Sequence, residues 1–405
     1  GIRDIGVTGV QTCALPILRS AMTAAVQAPV ERLRASWSDR DRSSETATIL
    51  WTSGTTSQPK GAMLSHSNLL SNATAKLDAM PQSETDLRLN LLPFAHAYAR
   101  TCELTTWLLT GGTMACVGSV REFLDVAPRI QPTLINSVPS MIEAFLVPRD
   151  RESIVSPKGS SGENCDDLLA ILGGSVRRLA SGGAGISAST RELFANAGLP
   201  IYQGYGLTEA SPVVCSNRVT SENQPMLEGV GPPVEGVEVR IDAENRLWVR
   251  GCGVMQGYWR DPEGTERRMR EGWLDTGDCV VPGSEIERGL RIAGRSDDLQ
   301  ILSNGFKFFP GPLEAKIERL REIERCVLVG GNRRTPLLIV QLTPGFEIEP
   351  ELLLRLVHRE LAQEAEYVQP GQILISQEDW SVTDGLRHWK GGWNRQEIAK
   401  RTIRF

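Results

Sequence analysis

The chain has 405 residues, enough for two or three domains, with an apolar fraction of 40% and a net charge of −5. That balance excludes a basic nucleic-acid-binding face, and no stretch reaches the roughly 18 uninterrupted apolar residues of a membrane span. Eight cysteines are scattered without a CxxC pair or a His-rich cluster, which argues against a disulfide framework or structural metal site and for free thiols in a reducing cytoplasm. Residues 1–17 stand apart. Val7 to Ile17, VTGVQTCALPI, resembles a translated sequencing-library adapter, so this segment is set aside and the native protein is expected to begin upstream.

Residues 18–46 read as a polar, Arg- and Ser-rich helix and linker. From Thr46 the texture becomes short apolar strands alternating with helices. Ala47–Trp51 reads as a buried strand. Leu87–Phe94, Thr113–Gly118, Pro132–Pro139 and Arg178–Gly182 read as further strands, with helices at Ser67–Ala79 and Ser189–Ala197. Ser67 suits a helix N-cap. Ser153–Asp167 reads as an exposed loop. The pattern predicts an α/β layered domain with much parallel pairing.

Beyond Val213 the sequence turns β-rich, with a hairpin of Val237–Asp242 and Arg246–Arg250. A boundary is expected near Arg295. After it come a hairpin-like run, Leu299–Phe309, and a helix bearing Leu313, Ile317 and Leu320 on one face. Strands at Cys326–Gly330 and Leu337–Leu342 follow, then a helix carrying Leu353, Leu356, Val357 and Leu361. The expected organisation is therefore a partial large α/β domain over 18–295 with a β-rich subdomain, and a small mobile α+β domain over 296–405.

The most pointed chemistry lies in TSGTTSQPKG, Thr52 to Gly61. Ser53, Gly54, Thr55, Thr56 and Lys60 combine close backbone approach, hydroxyl donors and one positive charge, which suits a polyphosphate. Lys60 keeps the Walker offset from Gly54, but Pro59 and Gly61 replace the second glycine and the Mg²⁺-binding hydroxyl. An ordinary Ser/Thr/Gly surface loop is the alternative.

This loop resembles the phosphate-binding loop of the AMP-forming acyl-activating enzymes, which include acyl-CoA synthetases, luciferases and peptide-synthetase adenylation domains. Further motifs extend the resemblance in chain order. SHSNLL (Ser65–Leu70) is similar to the helix start that follows the loop. LPFAHAYART (Leu92–Thr101) and PTLINSVPSMIEAF (Pro132–Phe145) resemble the long-chain fatty acyl-CoA synthetases, with His96 on the family histidine beside the acyl and pantetheine passage. SGGAGIS brings Gly182, Gly183 and Ala184 to the adenine or the first acyl carbons.

In YQGYGLTEAS the resemblance gives Tyr205 and Gly206 to the adenine side, Thr208 to the α-phosphate and Glu209 to Mg²⁺, a hard cation that takes carboxylate and phosphate oxygens. GWLDTGD supplies Asp278 for the ribose hydroxyls. GRSDD supplies Arg295 for the ribose side and Asp297 as a hinge, and Gly305 in SNGFKFF matches a glycine of the thioester-forming channel.

The catalytic lysine departs from the family pattern. Ungapped registration over Asp384–Ile398 puts Gly392 at its position, and Lys390, two residues earlier, is the candidate. The resemblance implies ATP, Mg²⁺ and coenzyme A as reactants or cofactors, a fatty acid as substrate, a cytoplasmic setting with room for peripheral membrane association, and no nucleic-acid partner. Three alternatives stay open: an acyl-AMP ligase that loads a carrier protein, a non-catalytic nucleotide-binding relative, and an inactive fragment.

Overall fold

The computed structural model describes residues 42–52, 59–146, 168–220, 225–331, 333–376, 380 and 394–403. The adapter-like peptide, most of the 18–46 linker, the Ser153–Asp167 loop, Ser53 to Thr56, and Lys390 with Gly392 lie outside them.

A six-stranded sheet forms the centre. Its spatial order is Thr113–Cys116, Leu87–Asn90, Leu134–Ser137, Arg178–Ser181, Ile201–Gly206 and Val213–Ser216. The first five strands run parallel and the last is antiparallel. Parallel strands need covered faces. Leu89, Ile135, Leu179 and Ile201 meet Phe123, Ile142 and Phe194 from the helices Val120–Ile130, Pro139–Phe145 and Ala188–Asn196 in one core.

A second core joins two smaller sheets. Leu50, Ala62 and Leu64 of the antiparallel pair Thr46–Thr52 and Lys60–Ser65 pack with Leu247, Val249, Leu274 and Val280. The latter four belong to a five-stranded antiparallel sheet built from Val237–Ile241, Arg246–Gly251, Met269–Arg270, Trp273–Val280 and Ile292–Arg295. This shared core fixes both ends of the Thr52–Lys60 segment against the β-rich part.

The last third has its own sheet. Ile323–Val329, Leu337–Leu342 and Gln372–Ile375 pair in that order. Alternation sends Leu328, Leu338 and Val340 to one face, under helices Pro310–Ile317 and Pro350–Glu360. It sends Val327, Leu337 and Ile339 to the other, under Ile398 and Ala399 of helix Arg395–Ile403. The architecture is the expected α/β fold with a β-rich part and a small α+β part.

Several local expectations are corrected. The Ala47–Trp51 run is not a buried strand. Among the described residues it pairs on one side only, Leu50 alone in the run is buried, and Trp51 is 65% exposed. The N-cap of His66–Ala79 is Ser65, not Ser67. Ser65 Oγ accepts from the Asn68 N–H at 3.1 Å and Asn68 Oδ1 accepts from the Ser65 N–H at 2.8 Å, a reciprocal capping box.

The strand expected over Leu87–Phe94 stops at Asn90, whose side chain bonds both backbone groups of Leu92 and turns the chain. Pro139 opens a helix instead of closing a strand, as its missing N–H allows. Leu320 lies past the end of helix Pro310–Ile317 and packs on the core from the following turn.

Candidate functional site

The carboxyl ends of the parallel strands open onto a cavity of about 1080 Å³, the usual ligand position in an open α/β sheet. Lys60, His96, Gly182, Gly183, Ala184, Tyr205, Gly206, Thr208, Glu209, Asp278, Arg295 and Asp297 all line it. Residues separated by more than two hundred positions are thus brought to one wall. Gly305 is not among the lining residues. It sits at φ +83° in the turn between Gln300–Ile301 and Lys307–Phe308.

Strand Ile201–Gly206 delivers the first group. Gly206 cannot carry a side chain, because a Cβ there would lie 1.8 Å from the Pro212 carbonyl oxygen. That close return holds the single turn Thr208–Ala210 against the cavity. Glu209, 8% exposed, accepts from the Tyr258 hydroxyl through Oε1 at 2.8 Å. Burial, and then the Glu209 charge, raise the Tyr258 phenol above its usual range, so it stays a donor.

Tyr258 also carries Lys60. The Lys60 ammonium lies 4.9 Å from the centre of its ring and 2.9 Å from Asp261 Oδ2. Tyr258 reaches this place because Gly257–Tyr258 pairs with Met63 and Ala62 as a third strand. Residues from the phosphate-loop end, the GLTE turn and the GYWRD stretch therefore form one network. Sequence reasoning missed Tyr258 and Asp261, whose only signal was an aromatic and an acid in a glycine-punctuated run.

The second group sits on two adjacent antiparallel strands. Asp278 and Arg295 are register partners. Asp278 Oδ2 accepts from the Tyr205 hydroxyl at 2.6 Å, and Oδ1 accepts from Arg295 Nη1 at 3.3 Å. Burial raises the Asp278 carboxyl above the usual range, with Arg295 and Tyr205 pulling the other way. Each oxygen accepts one bond here, and a carboxylate has about four acceptor positions. Arg295 also donates to the Thr276 carbonyl at 3.0 Å and meets Asp297 at 3.5 Å.

His96 is exposed at the N-terminus of the short helical turn Ala97–Ala99 and borders the cavity. Tyr98 faces Gly182 so closely that a Cβ there would lie 3.1 Å from the ring. The chain then enters a π-helical segment, Arg100–Thr105. Its carbonyls bind the buried Arg88, which donates from Nη1 to Glu103 O at 3.0 Å and to Cys102 O at 3.3 Å. Asn136 donates to Cys102 O and to Glu103 Oε1.

Glu209 fits a magnesium site of the substrate-assisted kind. It is a buried carboxylate facing the cavity with one hydrogen bond to Tyr258, and among the described residues no cluster of three metal-ligating side chains exists. Mg²⁺ held by one carboxylate completes its shell with phosphate oxygens and water.

A profile described as "AMP-binding enzyme" matches residues 10–259, and one described as "AMP-binding enzyme C-terminal domain" matches residues 297–384. The chain belongs to the AMP-binding enzyme family. Long-chain-fatty-acid–CoA ligase FadD15 of Mycobacterium tuberculosis is 30% identical over 71% of this chain and 53% of its own length. Long-chain-fatty-acid–[acyl-carrier-protein] ligase AEE15 of Arabidopsis thaliana is 28% identical over 85% of this chain and 58% of its own.

ATP-bound MatB from Rhodopseudomonas palustris superimposes with a TM-score of 0.69 at 26% identity, covering 90% of this chain and 69% of that one. The chain spans about half the length of the curated relatives it matches. Among the described residues no helix is long and apolar enough to cross a membrane.

Proposed function

We propose that the protein activates a fatty (carboxylic) acid with ATP, forming acyl-AMP and pyrophosphate, and transfers the acyl group to the thiol of coenzyme A with release of AMP. The observation that carries this reading is the convergence of Lys60, Thr208, Glu209, Asp278 and Arg295 on one cavity. Asp278 and Arg295 hold the ribose side, with Tyr205 against the adenine. Thr208 donates to the α-phosphate. Lys60, with Ser53, Gly54, Thr55 and Thr56, takes the β- and γ-phosphates, where donors meet the charge that builds on the leaving pyrophosphate.

Glu209 would hold Mg²⁺, which when bound would supply neutralisation of the phosphate charge. In the ATP-bound state Lys60 exchanges Asp261 for phosphate. His96 borders the path of the acyl and pantetheine chains. Lys390 is the candidate for charge stabilisation during adenylation. After adenylation the 296–405 unit turns about Asp297 and brings Gly305 to the thioester channel. The setting is cytoplasmic, where unpaired thiols stay reduced.

The test is fatty-acid-dependent ATP–pyrophosphate exchange. Exchange with at least one acid is expected. Its absence with every acid from short to long overturns the reading. The similarity to a relative named as an acyl-carrier-protein ligase supports a second acceptor. Product assays with coenzyme A and with acyl carrier protein separate the two.

A further inference from the structure

Among the charged side chains that line the cavity, Lys76 is deeply buried and has no part in the nucleotide chemistry. Lys76, near the end of helix His66–Ala79, is 4% exposed and lines the cavity beside Cys102, Gln203 and Val213. Its ammonium donates to Ser216 Oγ at 2.9 Å and contacts Met80 Sδ at 2.8 Å. The Ser216 hydroxyl donates to the Asn217 carbonyl at 2.7 Å, so its oxygen is oriented to accept.

Among the described residues Lys76 has no carboxylate partner. Glu103, the buried acid of the nearby π turn, pairs with Arg88 and Asn136 instead. Cys102 cannot neutralise it, because burial pushes that thiol up to about 12. Burial likewise pushes the Lys76 amine below its usual value.

A buried ammonium without a counter-ion is costly and persists where something repays it. A saturated acyl tail would bring only apolar surface to this position and leave the cost in place. An anionic group would bring the missing charge and a charge-assisted hydrogen bond.

We propose that Lys76 recognises the far end of the acyl substrate, and that the acid activated here carries a second, distal carboxylate that seats against its ammonium. The inference rests on the acyl-activation reading above and narrows its substrate class.

The test compares a straight-chain monocarboxylic acid with its ω-hydroxy and ω-carboxy analogues of equal length. Each is assayed by pyrophosphate exchange and by thermal stabilisation of the protein in the presence of ATP. For the native protein, the ω-carboxy acid is expected to have a KM roughly tenfold or more below that of the monocarboxylic acid, with the ω-hydroxy acid between them. Lys76→Met, which keeps the stem and removes the charge, is expected to abolish or reverse that order. Lys76→Arg is expected to retain part of it.

Equal KM values for the two acids in the native protein, or an unchanged preference in Lys76→Met, overturn the proposal. If Lys76→Met does not fold, the native comparison and Lys76→Arg decide it. If no acid supports exchange, acyl activation itself falls. The thermal shifts then still read Lys76, and equal shifts for the two acids overturn its assignment.

Discussion

Two arginine–carboxylate pairs in this chain have the same chemistry and opposite settings. Arg88 and Glu103 meet at 3.6 Å with both side chains 1% exposed, under the six-stranded sheet. Arg295 and Asp278 meet at 3.3 Å at the cavity wall, where Arg295 is 42% exposed. Arg88 is enclosed by its surroundings, donating from Nη1 to two carbonyls of the π turn and to Thr106, while its Nε has no partner among the described residues. Arg295 and Asp278 keep acceptor and donor capacity on the side that faces the cavity. The contrast teaches that burial, rather than the presence of a charge pair, separates a pair enclosed by its own fold from one that stays open to a cavity.

The largest effect should come from the buried pair. Arg88→Met removes one donor from each of the Cys102 and Glu103 carbonyls, leaves Glu103 buried without its charge partner, and should lower unfolding free energy by about 3–5 kcal/mol. Chemical denaturation reads the loss. The KM for ATP, measured well below the melting temperature, should stay unchanged, because Arg88 does not border the cavity. A loss below about 1 kcal/mol would make this pair no better than a surface one and erase the contrast.

A third pair tests how burial acts on a carboxylate that has partners. Glu314 accepts from the Leu328 N–H at 2.6 Å and from Arg395 at 2.7 Å, and burial pushes its carboxyl up to about 7 against the pull of Arg395. The folded state then binds this proton more tightly than the unfolded state, whose value is near 4.5. Its contribution to stability is present below that value and is lost as pH rises toward about 7. Glu314→Gln removes the titration, and Arg395 keeps Asp298 at 3.6 Å. Relative to the native protein, the variant should gain of order 2 kcal/mol between pH 5 and pH 8, read from melting curves across that range. A constant difference across the range would show that Arg395 outweighs burial.

How far these pairs were legible in the sequence follows from how local their meaning is. Glu209, Asp278 and Arg295 are singled out from the short motifs GLTE, DTGD and GRSDD, and all three line one cavity. The α/β class followed from strand and helix texture in the same way. Arg88, Lys76 and Tyr258 carried no such signal. Lys76 acquires its meaning from Ser216, 140 positions away, and Tyr258 from Glu209, 49 positions away. Element ends failed for a related reason. One side chain, that of Asn90, ends a strand that the apolar pattern would continue to Phe94.

The pair at the cavity wall should respond in binding and hardly in stability. Asp278→Asn keeps an acceptor but replaces the other with an amide, so the pair with Arg295 weakens and one acceptor at the cavity wall is lost. Under the proposed function the KM for ATP should rise about tenfold, about 1.4 kcal/mol. The melting temperature should hold, since the substitution also removes a desolvated charge. An unchanged KM would remove Asp278 from the nucleotide site.

The smallest effect sharpens the comparison most. Tyr205→Phe deletes the single hydroxyl donated to Asp278 Oδ2 and leaves the ring in place. In the Arg88 cluster the same deletion would orphan a buried acceptor. Here the freed oxygen faces the cavity, where water or a ribose hydroxyl replaces the lost donor. The expected stability change is therefore under about 1 kcal/mol. Under the proposed function the KM for ATP should shift by about threefold or less, because the aromatic face offered to the adenine remains. The Asp278 carboxyl loses one group that lowers it, so its value should rise further. The pH at which nucleotide binding weakens on acidification should move upward with it, which ATP titrations at successive pH values would record. If Tyr205→Phe instead costs as much stability as Arg88→Met, Asp278 is clamped as tightly as Glu103 and the two pairs are of one kind.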